Sequence, residues 1–296
     1  MENTDVYITN AVTEEDFEKR KPDVVYYNRL ISDNVLLLQS KYHFRVVVDV
    51  DDYWHLNPAH IMHQHSKDNN FAAHQIKHIQ LADVVTTTHA RLAEQIYPYN
   101  KNVIVLPNAI PNHKYFEVDK TKSAKGHVRI FWQGSITHEG DIKMLTKCIK
   151  QLDKNKFMMV LAGYTEQVEW ERICNYYTNN QRMPGVILPG VPPNEYYKYY
   201  QYADVCVVPL LSNKFNAYKS NLKILEAAHL GLPVIASNVH PYKDMDGVMY
   251  VNNNNDWYNL LQDRDAQIET AVILAAYCKQ HYNFDTINKQ RATAIN

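Results

Sequence analysis

Short runs rich in valine and isoleucine recur along the whole chain, and a stretch with helical spacing follows nearly every one. In the first part the runs are residues 6–9, 24–28, 45–50, 84–87 and 103–106, with helical patterns at 13–20, 30–41, 70–81 and 89–97. In the second they are 128–132, 157–161, 186–188, 205–208, 234–236 and 248–251, with helical patterns at 142–153, 166–179, 194–202 and 221–230. Brief apolar runs of this kind make strands, and strict alternation with helices makes a parallel sheet covered on both faces. The spacing therefore predicts an α/β chain of two Rossmann-like units. Their expected limits are 1–112 and 127–263, with a linker at 113–126 and a helical tail at 264–296 that has no strand after it.

At 296 residues two cores are the ordinary expectation. Lys+Arg 31 against Asp+Glu 32 gives a formal net charge of -1, so no global basic field holds a nucleic-acid backbone. Cys148, Cys174, Cys206 and Cys278 show no C-x-x-C pairing, which suits buried, reduced thiols and a cytoplasmic setting. The N-terminus has no basic and apolar leader pattern, and no window approaches the length of a membrane span.

The richest segment is 215–237. Lys219 and Ser220 precede a helical pattern carrying Lys223 and Glu226, which closes on Gly231-Leu232-Pro233 before an apolar strand. Unbonded N–H groups and the helix dipole favour an anion at such an N-terminus, so it can hold a phosphate. Glu226, one to two turns further in, is placed to accept two hydroxyls of a ribose. Lys219 and Lys223 share one face if both are helical, with Ser220-Asn221 as the cap; the bland alternative is a solvated pair. An uncompensated charge on an otherwise apolar helix is costly, and that favours a ligand.

A second glycine-bearing turn, Gln133-Gly134-Ser135, ends a strand and leads to His138 and Asp141. In open α/β sheets ligands bind beyond the strand C-termini, where glycine lets backbone approach a phosphate closely. The alternative is an ordinary loop with Asp141 as a helix cap. Asp49, Asp51 and Asp52 crowd the end of another strand, which raises one carboxyl or requires a cation. They read as a divalent-metal pair, as a contact to an acceptor hydroxyl, or as a helix cap. His55, His60, His63, His65, His74 and His78 form a histidine-rich stretch; His74 and His78 stand four apart, but without cysteines or H-E-x-x-H a polar helix face is the better reading. No G-x-S-x-G, Walker A or G-x-G-x-x-G pattern is present.

Through Gly134-Ser135-Ile136-Thr137-His138, Leu161-Ala162-Gly163, Ala203-Asp204-Val205-Cys206-Val207-Val208-Pro209-Leu210 and the segment 219–237, the second half resembles the C-terminal domain of retaining family 4 glycosyltransferases (glycosyl transferases group 1). The first half is similar more loosely, through Val24-Val25-Tyr26, the stretch 49–54, Ala82-Asp83-Val84-Val85-Thr86-Thr87-Thr88 and Val105-Leu106-Pro107-Asn108-Ala109-Ile110. The resemblance implies the GT-B fold: two Rossmann-like domains, an interdomain cleft and a C-terminal crossover helix. It implies that Glu226 binds the donor's ribose and that backbone N–H groups near Gly134-Ser135 and Ser220 meet the diphosphate; Asn216, Lys219 and Lys223 are also expected to bind the donor. Gly163, Tyr164 and Val191 would flank the base.

Where the family usually has a second glutamate this chain has Tyr218, and where it has an arginine after the glycine this chain has Ser135. Glu139-Gly140 falls where a lysine is usual, so Lys219 and Lys223 are expected to take over charge neutralisation. The chain is shortened in its first half and looks similar to short phage and bacterial transferases that modify surface glycans or nucleic acid.

The expected activity is therefore retaining transfer of a hexosyl or pentosyl group from a UDP- or GDP-sugar. The acceptor is a glycan or a modified DNA base such as a hydroxymethylpyrimidine. No cofactor or divalent metal is expected. Asp51, Asp52, His138 and Lys219 are the catalytic candidates, since a donor phosphate oxygen can itself take the acceptor's proton in this family's same-face mechanism. A nucleotide-sugar epimerase and a non-catalytic nucleotide-sugar-binding protein are the alternatives.

Overall fold

The computed structural model describes residues 5–9, 12–111, 126–178 and 183–295. The chain divides into two compact units. One comprises Met1–Asn108 with Tyr218–Ser220 and Asp285–Asn296, and the other Ala109–Ala217 with Asn221–Phe284. The expected linker, apart from Gly126, lies outside the described residues.

The first unit carries a parallel sheet in the order β1-β2-β3-β4, formed by Val24–Asn28, Arg45–Val50, Val84–Thr87 and Val103–Val105. Its register pairs Val25 with Val46, Val48 with Val85 and Val85 with Val103. Val46, Val47, Val48 and Val50 are all fully buried, so β2 is covered on both faces, which is why its sequence is continuously apolar instead of alternating. Thr13 and Asp16 form a capping box at helix Glu14–Arg20, whose Phe17 packs its ring on Phe44 and Tyr42.

Three expectations change here. Residues 6–9 form no strand: Val6 and Ile8 are exposed, and no neighbouring strand completes a ladder for them. The helix expected over 30–41 is two short ones, Asp33–Leu37 and Gln39–Tyr42. A further helix, Phe284–Ile295, follows the tail helix Arg264–His281 and is not apparent from the apolar pattern. Ile295 near its end accepts a hydrogen bond from Arg45 through its carbonyl.

The second unit holds a six-stranded parallel sheet of β5 (Val128–Gln133), β6 (Phe157–Tyr164), β7 (Gly185–Pro189), β8 (Val205–Val208), β9 (Val234–Ser237) and β10 (Met249–Val251), in the order β10-β9-β8-β5-β6-β7. Period-two alternation sorts its side chains into two cores. Phe131, Val160, Ala162, Cys206 and Val208 point into one, beside helices Leu222–His229 and Arg264–His281. Ile130, Trp132, Met159, Leu161, Val205 and Val207 point into the other, with Trp170, Tyr177 and Trp257. Arg129 at the start of β5 is buried and forks onto Asp204 just before β8, with Nε and Nη2 each donating at 2.9 Å. The helix expected over 142–153 is broken into Glu139–Ile142, a 3₁₀ turn Lys143–Leu145 and Thr146–Gln151. The segment expected as a helix at 194–202 is a 3₁₀ helix, Tyr196–Tyr202.

Candidate functional site

Strand order reverses between β5 and β8: from β5 the chain moves outward through β6 and β7, then returns to build β8, β9 and β10 on the other side. Crossovers on the two sides leave in opposite directions, so a crevice opens beyond the strand ends at this point. The Gly134 turn sits there. A pocket of about 260 Å³ follows it, lined by Gln133, Gly134, Gly163, Gly190, Val191 and Tyr196, together with Lys223 and others.

Backbone forms much of the pocket wall because no side chain fits. A Cβ on Gly134 would lie 2.6 Å from the Trp132 ring, and one on Gly163 would lie 2.3 Å from the Gly134 carbonyl oxygen. Gly163 also has φ +107, in the region that favours glycine. The Tyr164 carbonyl accepts from the Gly190 N–H at 2.7 Å, joining the ends of β6 and β7. Exposed Ser135 shares a 2.6 Å hydroxyl contact with Thr137.

Glu226 lies in helix Leu222–His229 and is only 2% exposed. Its Oε2 accepts from Gln133 Nε2 at 2.9 Å and from the Tyr200 hydroxyl at 2.8 Å, while Oε1 accepts from the Tyr196 hydroxyl. Burial raises its carboxyl above the ordinary value; the tyrosines, the Lys223 charge and Gln133 oppose the rise without cancelling it. Gln133 and Tyr196 line the pocket and also hold Glu226, so the carboxylate lies directly behind the pocket wall. Lys223 brings a positive charge to the same wall, its Nζ 5.9 Å from the Trp132 ring centroid.

His138 and Asn216 meet at a different centre. Asp141 is buried and takes His138 Nδ1 at 2.7 Å, the Leu211 N–H at 2.8 Å and Asn216 Nδ2 at 3.3 Å. Asp141 is thus no helix cap. Its carboxylate ties the turn after β5 to the segment after β8.

The acidic cluster belongs to the first unit, and its cation is Arg29, which the sequence reading passed over. Arg29 follows β1 in the left-handed region, φ 58, with its N–H on the Asp49 carbonyl at 2.9 Å. Its side chain forks, Nε to Asp51 at 2.7 Å and Nη2 to Asp52 at 2.8 Å. Burial works to raise the Asp51 carboxyl, but the bond to Arg29 and its charge outweigh that and hold it below the ordinary value. At Asp52 burial prevails and the carboxyl is raised, against the charges of Lys219 and Arg29. Asp49, also raised by burial, accepts from Thr86 at 2.6 Å. Among the described residues no group of three or more His, Cys, Asp or Glu side chains is arranged to hold a metal ion.

Lys219 and Lys223 do not share a helical face. The helix begins at Leu222, and Tyr218–Ser220 packs with the first unit, while Asn221 onward packs with the second. Asn221 stands at the N-cap position, but its side chain makes no capping bond and its amide donates to the Tyr282 hydroxyl at 2.9 Å. Tyr218 is buried, its ring 4.7 Å from that of Tyr53 and its carbonyl 3.0 Å from His89 Nε2. His78 is buried against the Tyr27 hydroxyl at 2.8 Å, which removes the His74/His78 zinc reading. Sequence reasoning also missed Gln133, Tyr196 and Tyr200. The two tyrosines stand four apart in a seven-residue run carrying five tyrosines, and that spacing was the available signal.

Two parallel-sheet units, with this crevice in the second, define the class: the chain has the fold of GT-B glycosyltransferases. Residues 127–265 match the family described as "Glycosyl transferases group 1". TarM superposes with TM-score 0.64 at 12% identity, over 95% of this chain and 57% of that one. The present chain thus spans little more than half of TarM. HepE from Anabaena, solved with UDP and glucose, gives 0.64 at 12% identity over 94% and 79% of the two chains. A UDP-forming α,α-trehalose-phosphate synthase from Burkholderia xenovorans gives 0.67 at 10% over 95% and 75%. Identities this low carry the fold alone. No curated protein sequence matches the chain, and no helix among the described residues is long and apolar enough to cross a membrane.

Proposed function

We propose that this protein transfers a glycosyl group, with retention of configuration, from a nucleoside diphosphate sugar to an acceptor hydroxyl. The observation that carries the reading is the buried carboxylate of Glu226 behind a glycine-walled pocket, with Lys223 on the same wall, at the switch point of the second sheet. A dry carboxylate suits ribose hydroxyls, and glycine turns expose backbone to a diphosphate. In this reading Gly134, Ser135, Lys223 and the backbone at Ser220 meet the diphosphate, Asn216 braces their loop, and Gly163, Tyr164 and Val191 flank the base. HepE was solved with UDP, and the trehalose-phosphate synthase forms UDP, which favours a uridine donor.

The leaving diphosphate gains charge in the transition state, so fixed cations act chiefly by electrostatic stabilisation. Lys223 supplies that charge without a divalent ion. A donor phosphate oxygen takes the acceptor's proton as the new glycosidic bond forms and the sugar–phosphate bond breaks. Asp51, Asp52 and His138 orient the acceptor or the sugar.

The test is a panel of UDP-, GDP- and ADP-sugars, scored by calorimetric binding and by nucleoside diphosphate release, with and without chelator. One nucleotide class should bind, and Glu226→Ala should weaken it at least tenfold. Equal binding by the variant overturns the donor assignment. Release abolished by chelator overturns the metal-free mechanism, and binding without release across acceptors leaves a nucleotide-sugar-binding protein.

A further inference from the structure

We propose that Tyr196 is a latch on the ribose subsite: its hydroxyl occupies the place on Glu226 that a ribose hydroxyl takes, and donor binding must displace it. The inference rests on the donor reading of the same pocket. A carboxylate offers about four lone-pair positions. Gln133, Tyr200 and Tyr196 already fill three of them on Glu226. A ribose presents two neighbouring hydroxyls and needs two positions, so one resident donor has to leave.

The surroundings select which one. Tyr200 is 2% exposed, its ring lies 4.9 Å from Phe131, and its hydroxyl also accepts from Gln133 at 3.0 Å. Gln133 is the last residue of β5 and is held by the ladder to β6. Tyr196 is only half-buried, opens the 3₁₀ helix directly after the exposed stretch 192–195, and lines the pocket that Glu226 does not itself reach. The pocket, at about 260 Å³, gives its side chain space to swing into or along. Tyr196 therefore keeps a buried carboxylate satisfied while the pocket is empty and yields that bond to a ligand carrying a vicinal diol. A ligand without the diol cannot replace it.

The test titrates wild type, Tyr196→Phe and Tyr200→Phe with UDP, GDP and ADP, with the 2′,3′-dideoxy form of the tightest binder, and with inorganic pyrophosphate. Tyr196→Phe should bind the ribonucleotide about tenfold more tightly, equivalent to ~1.4 kcal/mol. The gain should vanish for the dideoxy nucleotide and for pyrophosphate, a dependence that a general loosening of the pocket does not produce. Tyr200→Phe frees a position on Glu226 behind a residue that does not line the pocket, and should give no such gain. Wild-type binding with no gain, or a loss, in Tyr196→Phe overturns the latch and leaves the donor reading standing. A gain that persists with pyrophosphate also overturns it. Absence of nucleotide binding in both wild type and Tyr196→Phe overturns the donor reading, and the latch with it.

Discussion

Gly163→Ala tests the backbone architecture of the pocket without reference to any ligand. Gly163 has φ +107, and an alanine there carries the strain of a sparsely populated backbone region, on the order of 1–3 kcal/mol. Its Cβ would also stand 2.3 Å from the Gly134 carbonyl oxygen. No rotamer relieves that contact, because both partners are backbone, so the turns after β5 and β6 must separate. Overpacking of this kind costs about 1–3 kcal/mol. Together the two effects give about 2–6 kcal/mol, or about 4–24 °C in the melting of a unit of this size. The assay is thermal unfolding followed by circular dichroism, reading the transition of the second unit, with nucleotide binding alongside. Gly140→Ala is the contrasting case. Gly140 lies in helix Glu139–Ile142, and its added Cβ meets only the end of the Leu211 side chain at 3.3 Å. That substitution should raise stability by about 0.5–1 kcal/mol through helix propensity. A Gly163→Ala protein melting within 1 °C of wild type, or a Gly140→Ala protein falling as far as Gly163→Ala, would refute the reasoning.

Arg129→Ala should cost about 2 kcal/mol in urea unfolding, the penalty of a broken buried pair reduced because the Asp204 side chain is 27% exposed. Burial works to raise the Asp204 carboxyl, but the Arg129 bonds hold it below 3.8, so its stabilisation is present above that value and lost as pH falls through the lower folded value. The stability slope below pH 4 should therefore be shallower in Arg129→Ala than in wild type. Glu226 has the opposite sign: its folded value is raised above 4.5, so its contribution is present below 4.5 and lost as pH rises through the folded value. Glu226→Gln should accordingly gain stability relative to wild type between pH 4 and pH 8 while binding nucleotide more weakly, and a parallel pH profile for the two proteins would contradict the burial of an ionised carboxyl.

The division into strands and helices was legible because it depends on local periodicity. Runs such as Val46-Val47-Val48 and Val205-Cys206-Val207-Val208 state by themselves that a strand is buried on both faces. The Gly134 turn, Glu226 and the acidic run at Asp49 were visible for the same reason: each is a residue type set at a fixed offset from a strand end or within a helix. Pairing was not legible. Gln133 reaches Glu226 across 93 residues of sequence, and Arg29 reaches Asp51 across 22, because sheet order, not spacing, brings β5 beside β8 and β1 beside β2. The split of Lys219 from Lys223 also came only from the tertiary structure, since four residues of helical spacing mean nothing where the helix begins at Leu222. Sequence alone determined a parallel α/β chain with a glycine turn after one strand and a glutamate within an apolar helix in its second half. Only the folded structure decided which donors satisfy the buried carboxylate, because the cost of leaving a charge dry and unpaired is met by whichever side chains packing brings within hydrogen-bond distance.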